Sequence, residues 1–301
     1  MIQRIQNRLK PVLMLFLFAG LVLSACSVPP SENATSTSAP TPILPTPTAT
    51  AVPLTSLTVC LGAEPKNLYL YGDSSRAKWS VLEAIYDGPI DTINYEPSPV
   101  ILTELPTQEN GQVTLQAAKV SEGDPVANVT GDIVALKKGV KVFPAGCTSA
   151  NCAVEWDGTS ELELSQMVVR FSLLSGINWS DGVPVTAADS VFSYTVSKDP
   201  ATAVSKTNLE RTYSYTALDD ATVEWVGQPG FLTLSPSAFF WSPLPEHQLG
   251  NLTAEQMKTD ELTTKSPLGW GAYQVEEWVS GDHIRLVKNP NYYRASEGLP
   301  S

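Results

Sequence analysis

INWSDGVPVTAADSVFSY, residues 177–194, is the stretch in which every local signal points to the same structure. Ser180-Asp181-Gly182 is typical of a tight turn, because Asp and Gly tolerate the backbone conformations that turns require. Thr186, followed three residues later by Asp189, fits a capping box and predicts a helix that reaches about Lys198. Because the turn, cap and helix signals agree, the stretch indicates architecture and not a catalytic centre.

The residues on either side of this stretch continue the pattern. QMVVRFSL, residues 166–173, alternates apolar and polar side chains and predicts a half-buried strand before the turn. Asp199-Pro200 would end the helix, because the residue before a proline avoids the helical conformation. Trp179 and Asp181 are therefore expected to fix the shape of this strand, turn and helix.

Farther out, short helices and short strands alternate, which predicts a mixed α/β fold with α+β sheets. The other predicted elements are a buried strand at Leu57–Gly62, a helix at Ser75–Asp87 stopped by Gly88, a small antiparallel sheet between Glu96 and Trp156, a strand in LDDATVEWVG (218–227), strand-like runs in GFLTLSPSAFFWSPLPEHQL (230–249), and a hairpin of Ala272–Val279 and His283–Lys288.

Composition and charge narrow the class of protein. The chain has 301 residues, of which 43% are hydrophobic and 17% charged, as expected of a globular protein. Its formal net charge of −12 disfavours nucleic acid as a partner, because an acidic surface repels a phosphate backbone. Otherwise the acidity has a simple explanation, because a net charge keeps a protein soluble.

The N-terminal residues predict export. Arg4, Arg8 and Lys10 precede an apolar run at Pro11–Leu23 that is too short to span a bilayer comfortably. Leu23-Ser24-Ala25-Cys26 resembles the lipobox of bacterial lipoproteins, which implies a signal peptide at 1–25 and lipid on Cys26. An ordinary secretory signal with a chance cysteine is the alternative. Residues 26–56 are rich in Pro, Thr and Ser and predict an extended tether.

The remaining cysteines predict a disulfide and a buried thiol. Cys147 and Cys152 could close a small loop in an oxidising compartment. A C-x4-C pair alone is a poor zinc site, so no metal is expected there. Cys60, in the apolar run LTVCLG, is expected to be a buried small side chain.

Enzymatic chemistry has little support in the sequence, and no cofactor is expected. His247 and His283 are far apart, and neither belongs to a metalloprotease or hydrolase motif. The acidic pairs Asp219-Asp220 and Glu276-Glu277 lie in apparent strands, where adjacent side chains point to opposite faces. A cell-surface hydrolase is therefore the weaker alternative.

Four stretches carry a resemblance to a known family. The chain is similar to the N-terminal part of family 5 extracellular solute-binding proteins, which are the oligopeptide-, dipeptide- and nickel-binding components of ABC importers. The stretches are INWSDGVPVTAADSVFSY, ALDDATVEW (217–225), SPLGWGAYQVEEWVSGDHIRLVKNPNYYR (266–294) and GAEPKNLYLY (62–71). Two departures concern the walls of the expected cleft. Trp270 and Ala272 replace a Thr and a Pro of the family pattern, and Tyr69 stands near the position of an Asp-Pro.

The resemblance implies a fold and a division of the chain. The fold would be one lobe of a type II periplasmic-binding-protein-like structure, with a core subdomain at about 57–96 and 217–296 and an inserted subdomain at 97–216. A second lobe follows the last hairpin in the family. Since the sequence stops at Ser301, the lobe is expected to be incomplete at its C-terminus. A split or incomplete gene is one explanation, and a single-lobed protein is the other.

The resemblance also implies a function. Two lobes would close on a peptide or a similar small solute and present it to a permease. The protein would be anchored by its lipid to the outer face of the cytoplasmic membrane. A single-lobed surface lipoprotein with an adhesive or sensory role is the alternative. The expected cleft residues of the early loop are Glu64, Asn67 and Leu68, for which an ordinary role in the loop turn is an equal alternative. Flat aromatic walls could be formed by Tyr86, Trp241 and Trp270, although core packing is the better interpretation for each of them alone.

Overall fold

The fold is taken from a computed structural model that describes residues 56–147 and 149–300. The predicted signal peptide, the expected lipid site at Cys26 and nearly all of the tether lie outside the described residues. None of the helices in the described part is long and apolar enough to cross a bilayer. All the helices and strands of the described residues belong to the unit Thr58–Ser301.

Helices and strands alternate along this unit. The helices of the described residues are α1 Arg76–Ile85, α2 Ala187–Lys198, α3 Thr207–Glu210, α4 Glu246–Leu249, α5 Ala254–Met257 and α6 Glu261–Thr264. The strands are β1 Ile90–Ile93, β2 Glu96–Pro99, β3 Val113–Val120, β4 Pro125–Ala127, β5 Ile133–Ala135, β6 Lys141–Val142, β7 Val154–Glu155, β8 Leu162–Ser172, β9 Thr212–Ala217, β10 Thr222–Gly227, β11 Tyr273–Val279 and β12 His283–Lys288.

An antiparallel sheet of β3, β8, β10 and β9, in that order, is the frame of the unit. Val169 of β8 lies opposite Val113 on one side and Trp225 on the other. The predicted strand at 166–173 is confirmed and is longer than expected, because β8 begins at Leu162. Its middle residues are buried on both faces, as a central strand requires.

The predicted capped helix is also confirmed. In α2, the Asp189 carboxylate accepts a hydrogen bond from the backbone N–H of Thr186 at 2.8 Å, which satisfies a free donor at the helix start. Helix α1 begins after Ser75, whose hydroxyl accepts from the N–H of Lys78 at 3.4 Å. Both helices therefore begin where the sequence places them, and α1 ends at Ile85, just short of the predicted end.

The main core lies between the sheet, the helices and the hairpin β11–β12. Three tryptophans, Trp179, Trp225 and Trp270, are completely buried in it. Removing such a side chain typically costs about 3–5 kcal/mol, so these rings contribute a large share of the stability of the unit. A second, smaller core gathers under the short strands β4–β7 and the far ends of β3 and β8, around Trp156 and Leu164.

The prediction of one small sheet between Glu96 and Trp156 is wrong. Strand β3 leaves this region to join the main sheet, whereas β1–β2, β4–β5 and β6–β7 form separate two-stranded pairs. Each pair is short, and turn residues interrupt the alternation before a wider sheet can form. The strand-like assignment of residues 230–249 is also wrong, because this segment contains a 3-10 turn at Pro236–Phe239 and then α4. Its prolines remove the N–H groups that a strand needs.

The first apolar run behaves differently from its prediction. Leu57–Gly62 forms no strand, and Cys60 is exposed instead of buried. An apolar run of this length becomes a buried strand only where a neighbouring strand pairs with it, and composition alone does not show whether such a strand is present.

The predicted subdomain boundary between residues 216 and 217 falls inside the main sheet. Strand β9 ends at Ala217, and β10, assigned to the core subdomain, pairs with β8 of the expected insert. Residues 97–216 therefore do not separate from the rest of the described unit at that point.

The C-terminal hairpin is confirmed as strands β11 and β12. A bulge between Val275 and Glu277 interrupts their register. Glu276 pairs with Arg285 at 2.6 Å, and Glu277 lies 3.6 Å from His283. The stretches that carry the family resemblance meet at this point of the fold, since the N–H of Ser180 donates to the carbonyl of Gly269 at 2.8 Å.

Candidate functional site

The early segment, Glu64–Gly72, is the part of the predicted site that lies nearest the surface. Glu64 is exposed, and its carboxylate accepts hydrogen bonds from the indole N–H of Trp278 at 2.8 Å and from the N–H of Gly281 at 3.1 Å. The hydrogen bond from Trp278, followed by those from Ser280 and Gly281, holds the pKa of Glu64 below its usual range. Glu64 therefore joins the early segment to the turn of the hairpin β11–β12.

Asn67 shapes the next residues of the early segment. Its Oδ1 accepts from the N–H of Tyr69 at 3.1 Å, and its Nδ2 donates to Asp73 at 3.4 Å. This is the Asx pattern by which an asparagine turns the chain over its own side chain. The half-buried Asn67 therefore both organises the segment and retains a polar edge at the surface.

Leu68 ties the same segment to the interior. Its N–H donates to the carbonyl of Thr264 at 2.8 Å, and its side chain is 0% exposed. The hydroxyl of Tyr71 contacts the Ser193 hydroxyl on α2. The early segment is thus held by α2 and α6 as well as by the hairpin turn.

Three of the predicted ligand residues are packing residues in this structure. Leu68, Tyr86 and Trp270 all belong to the main core, and their side chains are buried. The rings of Tyr86 and Trp270 meet edge to face with centroids 4.8 Å apart, and the Trp270 ring lies 5.3 Å from that of Trp179. With no accessible ring face left, Tyr86 and Trp270 fit the packing alternative better than the ligand one.

Trp241 differs from the other aromatic candidates because it is only half-buried. Its ring packs against Tyr215 and Tyr194, with centroids 4.7 and 4.9 Å away. Together with Tyr71, it lines a cavity of about 180 Å³. Of the predicted aromatic walls, Trp241 is therefore the one whose ring lies beside open space.

Buried serines of α2 hold Tyr71 and Trp241 in place. The Ser190 hydroxyl lies 2.7 Å from the Tyr215 hydroxyl and also contacts the carbonyl of Trp241. Ser193 donates to the carbonyl of Ser242 at 2.6 Å. Neither serine is predicted from the sequence, although serines spaced three apart on one helix face, packed under a proline-rich segment, are a usable signal.

The histidines and acidic pairs take structural positions. Nε2 of His247 lies 2.9 Å from Oδ2 of Asp181, so this histidine partners the SDG turn. Asp219-Asp220 lies in the turn between β9 and β10 instead of in a strand, and Asp219 accepts from the N–H of Ala221 at 2.8 Å. In the described part of the chain, no group of three or more His, Cys, Asp or Glu residues is placed to bind a metal ion.

The sulfur atoms of Cys147 and Cys152 are bonded to one another in the structure. Their loop borders a second cavity of about 480 Å³, which is also lined by Phe143, Phe231 and Asn128. The lining of this cavity carries no charged side chain.

Comparison with known proteins shows which family this fold and sequence resemble. Residues 156–300 match the sequence model described as bacterial extracellular solute-binding proteins, family 5 Middle. These residues are just under half of the chain, and over them the sequence is similar to family 5. The match contains the SDG turn and α2, which the opening stretch predicts, together with the inner strands of the main sheet and the C-terminal hairpin.

The match to one relative is longer than the match to the family model. The chain is 29% identical over 245 residues to the periplasmic oligopeptide-binding protein OppA of Escherichia coli, covering 71% of this chain and 41% of OppA. It is 30% identical over 134 residues to the oligopeptide-binding protein AppA of Bacillus subtilis, covering 42% of this chain and 23% of AppA. The chain therefore spans less than half the length of these relatives.

A solved structure shares the fold. The AppA structure from Bacillus subtilis, in complex with a nonapeptide, superposes with a TM-score of 0.50 over 77% of this chain and 36% of AppA, at 17% identity. The mixed α/β fold expected from the sequence is thus that of part of a type II periplasmic binding protein.

Proposed function

We propose that this chain is an exported solute-binding component of an ABC importer and that its ligand is a peptide or a similar small solute. The observation that carries the proposal is the match of residues 156–300 to family 5, together with relatives that are named for oligopeptide binding. We further propose that Cys26 carries a lipid and that a permease receives the ligand.

The early segment would supply part of the ligand-binding wall. Glu64 and Asn67 offer polar groups at the surface, and the contacts of Leu68 and Tyr71 hold the backbone between them in one conformation. A wall that is already ordered loses little conformational entropy when a ligand binds. Closure of a second wall over this one would then favour the bound state.

Peptide binding by the full-length chain tests the proposal. The chain, exported by a bacterial host and extracted in detergent, is titrated with pools of peptides of two to nine residues and followed by calorimetry and hydrogen exchange. We expect saturable binding with a dissociation constant of about 1 mM or tighter, which is about 4 kcal/mol, and protection of residues 64–72. Absence of both signals would contradict the proposal.

A matched pair of asparagine variants localises the binding. Asn67→Ala is expected to weaken binding, whereas Asn110→Ala should not. Asn110 is an exposed asparagine that makes the same kind of local contact, accepting from the N–H of Thr107 at 3.0 Å. Mass spectrometry of the peptides after incubation separates binding from cleavage, and cleaved products would support the hydrolase alternative instead.

A further inference from the structure

Helix α1 contains a lysine whose position the proposed function does not yet explain. Lys78 is 1% exposed, although a charged side chain is rarely buried without a partner. It takes part in none of the ion pairs found among the described residues. Burial lowers the pKa of Lys78, and the nearby Asp73 charge partly opposes that effect. Some other set of contacts must therefore stabilise the ammonium group.

Those contacts are backbone carbonyls of the early segment. Nζ of Lys78 donates to the carbonyl of Tyr69 at 3.1 Å and to that of Leu70 at 3.5 Å. The ammonium also lies 5.4 Å from the centre of the Trp79 ring, within the range of a cation–π contact. Hydrogen bonds to a charged donor are roughly twice as strong as neutral ones, so the 3.1 Å bond orients the carbonyl of Tyr69, and the longer 3.5 Å contact is a weaker constraint on that of Leu70.

Orienting these carbonyls also orients the opposite side of each peptide unit. A trans peptide is planar, and its N–H points away from its C=O. Since the carbonyls of Tyr69 and Leu70 face Lys78, the N–H groups of Leu70 and Tyr71 face away from α1. Neither N–H has a hydrogen-bond partner among the described residues. The N–H of Gly72 donates to Tyr69 at 2.8 Å and closes the turn that presents them.

We infer that Lys78 is a positioning residue, which fixes the turn Tyr69–Gly72 so that the N–H groups of Leu70 and Tyr71 are presented to acceptor oxygens of the ligand. The inference rests on the proposed function. The ligand class it specifies is one with carbonyl or carboxylate oxygens, such as a peptide backbone. Lys78 itself does not contact the ligand, because its ammonium is enclosed by the segment that it holds.

Replacing Lys78 with methionine tests the positioning role, because methionine keeps most of the stem and removes the donor. In the full-length chain, K78M is expected to speed hydrogen exchange of residues 67–73 by about tenfold or more. Exchange in β8 should change only as much as global stability changes. Peptide binding should weaken in parallel with the loosening of residues 67–73.

Lys206 provides the matched control. Its ammonium donates to the carbonyls of Ser197 at 2.6 Å and Asp199 at 3.0 Å, so it makes the same type of contact at the C-terminal end of α2. K206M is expected to loosen the end of α2 and to leave residues 67–73 unchanged. Equal loosening of residues 67–73 in both variants would overturn the inference, since the effect would then be general.

The wild-type chain gives a second measurement that does not depend on how well K78M folds. In amide-resolved NMR, a peptide titration should shift the Leu70 and Tyr71 amide protons downfield, as acceptors bind them. Binding that leaves both signals in place would overturn the inference while supporting the proposed function. Conversely, local loosening in K78M without peptide binding by the wild type would support the role of Lys78 in fixing the turn Tyr69–Gly72 and refute the proposed function.

Discussion

The indole Nε1 of Trp179 donates to Oδ2 of Asp189 at 3.3 Å, and both residues are buried. The same carboxylate accepts from the N–H of Thr186 at 2.8 Å, and its Oδ1 accepts from the N–H of Glu246 at 3.0 Å. One side chain thus joins the turn, the start of α2 and the start of α4. This explains why the Trp and the Asp occur together in the opening stretch of sequence.

Asp189→Ala should therefore destabilise the protein well beyond the loss of a helix cap. The substitution leaves the buried indole N–H of Trp179 and the partly buried N–H groups of Thr186 and Glu246 without acceptors, and each buried unsatisfied donor costs about 1–3 kcal/mol. We expect the free energy of unfolding in urea to fall by about 3 kcal/mol or more. Asp219→Ala, at the exposed turn between β9 and β10, is the control and should have a much smaller effect. Similar losses in both variants would contradict this explanation.

The glycines beside Trp270 are required by close packing against α1. A Cβ at Gly269 would lie 1.9 Å from the carbonyl oxygen of Ile85, and the N–H of Gly271 donates to that same oxygen at 2.8 Å. Gly269→Ala must therefore displace the backbone, and we expect a loss of about 2–4 kcal/mol in urea unfolding. Gly62→Ala is the matched control, because nothing lies within 4 Å of its added Cβ. An unchanged midpoint for Gly269→Ala would show that the two segments separate easily.

The sequence predicts those elements whose signals are local. The cap formed by Thr186 and Asp189, the strand around Val169 and the hairpin before Asn289 all follow from short-range patterns, and all are confirmed. Side-chain burial is different, because it depends on what lies opposite. Cys60 lies in an apolar run of sequence yet is exposed, whereas Lys78 is charged yet buried.

The candidate site was less predictable for the same reason. Glu64 and Asn67 lie near the surface, as a loop motif suggests, but Tyr86 and Trp270 are enclosed by segments distant in sequence. An aromatic residue lines a cleft or packs in a core depending on which distant segments of the chain cover its ring, and the local sequence does not show this. The half-buried ring of Trp241 is distinguished from these two only once the fold is known.

The expected anchor gives a prediction that is independent of the ligand. Cys26→Ser removes the thiol that would carry the lipid, so the exported protein should move from the membrane fraction to the soluble fraction of the host. Mass spectrometry of the wild-type N-terminal peptide should show acylation at Cys26. Cys60→Ser is the control and should leave the distribution unchanged. A soluble wild-type protein without acylation would instead support an ordinary secretory signal.

Glu64 gives a pH-dependent prediction whose sign follows from its contacts. Its pKa is lowered from the usual value of 4.5, chiefly by the hydrogen bond from Trp278, so folding favours the ionised form. The stabilising contact is therefore complete above pH 4.5 and is lost as the pH falls through the lowered pKa.

In NMR, the Trp278 indole proton should move upfield on acidification below pH 4.5, and Glu64→Gln should abolish most of that titration. Glu255 is an exposed carboxylate that pairs with Lys258 at 2.6 Å, and its replacement by Gln should leave the Trp278 titration intact. A Trp278 signal that titrates equally in the Glu64→Gln variant would show that another group holds the indole.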